Sequence, residues 1–383
     1  MSRWAILATL ALIRLSFGYQ FQSMAALAPQ IAGDLALDQT QAGTLIGLYW
    51  APGVLVALPG GWLGRRFGDK PMVIAGGVLT VIGGAICALA PSYEALAAGR
   101  LIAGLGGIVM NVLAVKMTTD WFAAREIGFA MGALFGSFPL GIALGLAVQA
   151  PLAASLGWPW VMASTALLAA AVVVAIGLLY RGPANESHPP QTVGGPGTGA
   201  LLRRHDVALV SLAGIGLALY NGSFLVYVSY APALLTENGI GVAASGLILA
   251  LASALSTVFL PLGGHLADRS GRPLTVLFST TLAFCLCVAL LPPAAAAQGA
   301  TMVVALAVLI SVLGALPAPR RALGLGLFYT WFYVGAALCP ALGGWLYDAT
   351  GTPAGPIYLI AGLGFATAAL YAAFARLARR KGE

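Results

Sequence analysis

Charge is what this chain has least of. Asp, Glu, Lys and Arg make up 8% of its 383 residues, where a soluble domain carries about 25%. With 60% hydrophobic residues, no water-soluble fold of this length has enough interior to hide the apolar surface. Histidine is nearly absent. His188, His205 and His265 lie in polar stretches, with no nucleophile, metal-ligand or phosphate-loop spacing around them. An ATP-driven pump or a hydrolytic enzyme therefore has no footing here, and neither a cofactor nor a metal is expected. The few cysteines, Cys87, Cys285, Cys287 and Cys339, all sit inside apolar runs, which excludes a disulfide framework and suits apolar filling. Acids are missing from the middle of every apolar run. Five of them (Asp34, Asp38, Glu94, Glu237, Asp348) fall in loops on one side of the expected topology, and the others at its opposite side or at helix ends.

What is there is long hydrophobic runs. Hydrocarbon is spanned by about 20 mostly apolar residues. Such runs fall near 5–30, 40–60, 71–91, 95–118, 126–151 and 158–180, and again near 207–233, 243–263, 273–293, 300–317, 322–345 and 355–375. The expected fold is thus an all-α membrane protein of twelve transmembrane helices in two six-helix bundles, residues 1–180 and 207–383, joined by a Pro-, Gly- and polar-rich cytoplasmic linker at 181–206. The first run lacks a small-residue cleavage site and is read as a retained span. With both termini cytoplasmic, every Lys and Arg except Arg14, Arg100 and Lys116 falls on the inner side, as the positive-inside rule requires of an inner-membrane protein. The basic balance therefore reflects topology and calls for no nucleic acid. The expected partners are the lipid bilayer and a small-molecule substrate, bound to a monomer.

A single gapless shift superimposes the two halves. Ala28-Pro29 falls on Ala231-Pro232, Asp34 on Glu237, Gly43 on Gly246, Gly60-Gly61 on Gly263-Gly264, and Arg66 on Arg269. Six spans per repeat give both copies the same orientation, so a parallel repeat with a central site between the halves is expected.

The loops after spans 2 and 8 carry related motifs. Gly264-His-Leu-Ala-Asp268-Arg269-Ser-Gly271-Arg272 fits the pattern Gly-x-Leu-Ala-Asp-Arg-x-Gly-Arg throughout. Gly61-Trp-Leu-Gly-Arg65-Arg66-Phe-Gly68-Asp69-Lys70 keeps the glycines but has Arg65 in the acid's place. With the twelve spans and the central linker, these residues resemble the major facilitator superfamily. Arg100-x-x-x-Gly104-x-Gly106 is similar to another of its motifs. That resemblance implies a secondary transporter, with the two loops as a gating motif whose first copy departs from the pattern at Arg65. Gly18-Tyr-Gln-Phe-Gln22 and the stretch from Lys116 to Phe122 look loosely like the cyanate, nitrate and nitrite branch.

Arg14 stands about 15 Å into its span, near the midplane. An Arg there costs about 2.5–3.5 kcal/mol on insertion scales, and its repeat-equivalent, Leu217, shows that the fold does not demand it. Two readings stand: an anion-binding residue in the central cavity, or an Arg bonded to carbonyls of broken helices. Gly18, Phe21 and Gln22 share its helix face. Arg100, with Asn111 on its face, is a second candidate, and helix packing is the rival reading. Lys116, four residues before Asp120, reads as a snorkelling residue. In the second half Tyr220, Asn221, Phe224 and Tyr227 cluster on span 7, and Tyr329, Phe332 and Tyr333 on span 11, either as cavity wall or as ordinary packing. A positive cavity without an internal carboxylate suits a small anion, a small carboxylate or an inorganic one, carried by symport or exchange. The alternatives are a drug exporter of the same fold, for which Gly136-Ser-Phe-Pro139-Leu-Gly141 is a partial motif, and a non-transporting sensor or assembly protein.

Overall fold

The computed structural model describes residues 2–56, 66–122, 126–182, 204–270, 273–294, 298–299, 301–303 and 322–379. It is all-helical among these residues. In order the helices are α1 (Arg3–Leu35), α2 (Gln39–Leu48), α3 (Gly53–Val56), α4 (Asp69–Ala88), α5 (Tyr93–Trp121), α6 (Ile127–Leu156), α7 (Trp158–Leu179), α8 (Arg204–Glu237), α9 (Val242–Ser270), α10 (Pro273–Leu290), α11 (Ala322–Thr350) and α12 (Ala354–Arg379). Eight of them are long and apolar enough to cross a membrane: α1, α4 to α8, α11 and α12. Hydrocarbon offers backbone groups no partner, so each span must close its own hydrogen bonds as a helix. The polar starts are sealed locally. Ser2 caps α1, Ser92 caps α5, and Asp38 with Gln41 forms a capping box on α2.

Two expectations change in the structure. Span 2 is not continuous. Pro52 has no N–H to give, and the chain passes through a turn at Tyr49–Pro52 between α2 and α3, held by short-range bonds from Trp50 N to Gly47 O and from Gly53 N to Trp50 O, each 2.9 Å. The second motif is not a loop as far as Ser270: α9 continues helically through Gly264, Asp268 and Arg269. Gly271 and Arg272 lie outside the described residues, as do Gly61 and Arg65, most of the expected linker (183–203), and span 10 from residue 304.

α1 packs on α5, α6 and α7, and α4 on α5 and α7, while α8 packs on α9, α11 and α12. The two parts of the chain meet along α2–α11 and α6–α9, with α1 touching α8. These seams run close because glycine removes the side chain at the crossing. A Cβ on Gly43 would strike the Pro340 carbonyl, and one on Gly246 the Leu146 carbonyl. Gly43 and Gly246 are the pair that the repeat superimposes. Both contacts lie toward the end of the bundle that carries the α1–α2 and α8–α9 turns.

Candidate functional site

Arg14 on α1 is 8% exposed. Its Nη1 donates to Asn111 Oδ1 on α5 at 2.6 Å, and its guanidinium lies 4.5 Å from the Phe135 ring centre and 6.0 Å from that of Phe138, both on α6. Its Nε is buried without a partner. Tyr329 and Tyr333 of α11 stand close enough to interact electrostatically with it, and Asn111 lies beside Tyr333. No Asp or Glu among the described residues pairs with it.

The α2–α3 turn brings Trp50 into the same place. Its ring centre is 5.9 Å from Phe138, 5.8 Å from Phe332 and 6.1 Å from Tyr333, and Phe17 and Phe21 of α1 also pack against it. Its indole Nε1 is a second buried donor with no partner. Gly53, just past the turn, leaves room for the Tyr333 ring, which a Cβ would strike. Tyr329 is 40% exposed. At 100° per residue it lies about 180° around α11 from exposed Leu338, on the opposite face of the helix. Exposed Tyr329 beside Arg14 marks the open side of the cluster.

Arg100 is spent elsewhere. It is 1% exposed; its Nε donates to Leu45 O at 3.0 Å, its Nη1 to Gln20 O at 3.1 Å and its Nη2 to Phe21 O at 3.4 Å, with the cation 4.4 Å from the Tyr49 ring centre. Gln20 completes this staple by accepting from Tyr49 Oη at 3.0 Å. The carbonyl-bonded reading, open for Arg14 in the sequence, describes Arg100.

The other expected residues scatter. Gly18 is a helix-crossing point against the Phe138 carbonyl, with no room to line a cavity. Gln22 reaches Val228 O of α8 at 3.4 Å across the junction of the two parts of the chain. Gln149 of α6 is fully buried and donates to Tyr19 O at 2.8 Å. Tyr227 donates to Val303 O at 2.6 Å, Tyr220 faces Tyr371 of α12, and Asn221 Nδ2 of α8 is buried without a partner. Lys116 pairs first with Asp69 and only at 3.6 Å with Asp120. Asp69, at the start of α4, therefore ties α4 to α5. Gly68 of that motif has φ 86°, which favours glycine, and Arg66 lies over the Phe67 ring. Trp50, Phe135 and Phe138 were missed: Trp50 reads as apolar filling until the turn at Pro52 is seen, and nothing in the letters of α6 says that Phe135 and Phe138 meet Arg14 of α1.

The sequence profile of the Major Facilitator Superfamily matches residues 10–316 and, in a second match, 212–383. The nitrite extrusion protein of Bacillus subtilis is 27% identical over 66% of this chain and 62% of its own length. The uncharacterized MFS-type transporter YbcL of the same organism is 28% identical over 71% and 68%. With the fungal MFS-type transporter ppz2 of Metarhizium majus the match is 33% identical but spans 22% of that protein. Among solved structures, the inward open conformation of the xylose transporter XylE from E. coli superimposes with a TM-score of 0.77 over 97% of this chain and 96% of that one, at 14% identity.

Proposed function

The chain belongs to the Major Facilitator Superfamily, and from that premise we propose that it carries a small anion, a carboxylate or an inorganic oxyanion, across a bacterial inner membrane by alternating access, with both termini cytoplasmic. As a transporter of this family it binds a small molecule within the bilayer. The sign of that molecule rests on one observation: Arg14 is deep in the bundle, held by a neutral amide and a ring face, with a buried donor left over and no carboxylate among the described residues to neutralise it. A charge costs several kcal/mol in hydrocarbon unless it is paired, and a bound anion supplies the missing partner. Relatives named for anionic cargo, nitrite and 4-hydroxybenzoate, fit this reading. Asn111, Tyr329 and Tyr333 complete the site; the motif at Gly61–Lys70 and its copy at Gly264–Arg272 remain the proposed gate.

Arg14→Ala in proteoliposomes tests the reading. Uptake of the transported anion is expected to fall to background while the yield of folded, monodisperse protein stays intact. Uptake at the wild-type rate in that variant would refute an anion site at Arg14.

A further inference from the structure

We infer that the anion is an aromatic monocarboxylate: its carboxylate is received by the two unpartnered donors, Arg14 Nε and Trp50 Nε1, and its ring stacks among Phe135, Phe138, Tyr329 and Phe332. This rests on the anion reading above and narrows it.

The donors come first. Arg14 is 8% and Trp50 3% exposed, yet each keeps a buried N–H with no acceptor. Buried donors are normally matched, so each of these two marks a place where an acceptor is missing, and the two side chains pack on a common neighbour. Phe138 is that neighbour, with the guanidinium at 6.0 Å and the indole at 5.9 Å from its ring centre. A carboxylate has two oxygens and accepts from both. Arg14 is the one cation at this place among the described residues, which suits a single negative charge.

The walls decide what carries that charge. Around the donors stand rings from α6 and α11, partly buried at Phe135, Phe138 and Phe332 and open at Tyr329. An aromatic face bears the negative lobe of its quadrupole, so it repels a bare inorganic anion and gives it no hydrogen bonds in place of its water. The same faces favour another ring at 4.5–7 Å. Phe332 already meets Tyr329 at 6.1 Å and Tyr333 at 5.2 Å in edge-to-face geometry, the kind of arrangement that a further planar ring joins. A nitrite-sized ion would use the donors and waste the walls; a neutral aromatic would use the walls and leave the donors empty.

The test is ligand-dependent thermal stabilisation of the purified full-length protein with benzoate, benzamide, nitrite and acetate. Benzoate is expected to bind at least tenfold more tightly than any of the other three. Arg14→Gln should abolish its effect, and Trp50→Phe, which keeps a ring but removes the N–H, should weaken it about tenfold. Nitrite or acetate protecting as well as benzoate, in an Arg14-dependent way, would overturn the aromatic class and leave the anion reading standing. Benzamide matching benzoate, or benzoate protecting Arg14→Gln fully, would overturn both. Unchanged benzoate affinity in a folded Trp50→Phe would overturn the indole's part in the site.

Discussion

Two arginines lie in the same half of the chain, and their surroundings assign them different tasks. Arg100 spends its guanidinium on the carbonyls of Leu45, Gln20 and Phe21, so removing it breaks three charge-assisted hydrogen bonds at once. Hydrogen bonds to a charged group are worth about 1.5–3 kcal/mol each. Arg100→Gln is therefore expected to lower unfolding stability in detergent by about 3 kcal/mol or more. Arg14→Gln gives up one bond, to Asn111 Oδ1, and at the same time removes a buried cation that has no paired carboxylate among the described residues, so the two effects oppose and it should change stability by less than about 1 kcal/mol while eliminating anion binding. Equal destabilisation in the two variants, measured by denaturant unfolding, would contradict this division. The presence of both arginines inside apolar runs was legible in the sequence, because charge in hydrocarbon stands out against composition. Which one was free was not. The partners of Arg100 are backbone carbonyls, which every residue has and no letter of the sequence reveals. Trp50 was illegible for the complementary reason: a tryptophan between Tyr49 and Ala51 reads as ordinary apolar filling.

The elements set those environments through their interruptions. Span 2 read as one apolar run because proline is tolerated inside membrane helices, so Pro52 did not announce a break. The break turns Trp50 toward Phe138 and Phe332 and sets Gly53 under the Tyr333 ring. Adding one methyl at Gly53 must push that ring away and disturb the wall beside Arg14. Gly53→Ala is expected to reduce anion uptake at least tenfold. Gly33→Ala, at a helical glycine of α1 with nothing near its added carbon, should leave uptake unchanged and serves as the matched control. If both variants transport alike, the α2–α3 turn does not shape the site. The repeat, by contrast, was legible down to single residues. Gly43 and Gly246 were paired by the shift alone, and they are among the glycines on which α2 crosses α11 and α6 approaches α9. A pattern that recurs in two halves carries its own alignment, and a turn that occurs once does not.

At the scale of the whole molecule, carrying a solute by alternating access requires the closed end of the seam to open. Its latch is visible. Asp348, near the end of α11, accepts from the backbone N–H groups of Gln39 and Thr40 at 3.0 and 2.8 Å and from the Thr40 hydroxyl at 2.5 Å. A carboxylate from one part of the chain thus sits on the helix N-terminus of the other, where the exposed amides and the dipole favour negative charge. The contact is solvent-exposed, so it is worth about 1 kcal/mol, enough to bias an equilibrium about fivefold and weak enough to release every cycle. Asp348→Asn keeps the shape and removes the charge. With spin labels at exposed Ala36 and Ala349, the fraction of molecules with a widened α2–α11 separation should rise about fivefold in the variant. A distance distribution identical to that of the unsubstituted protein would mean that the glycine crossings at Gly43 and Gly246 hold the seam without the latch.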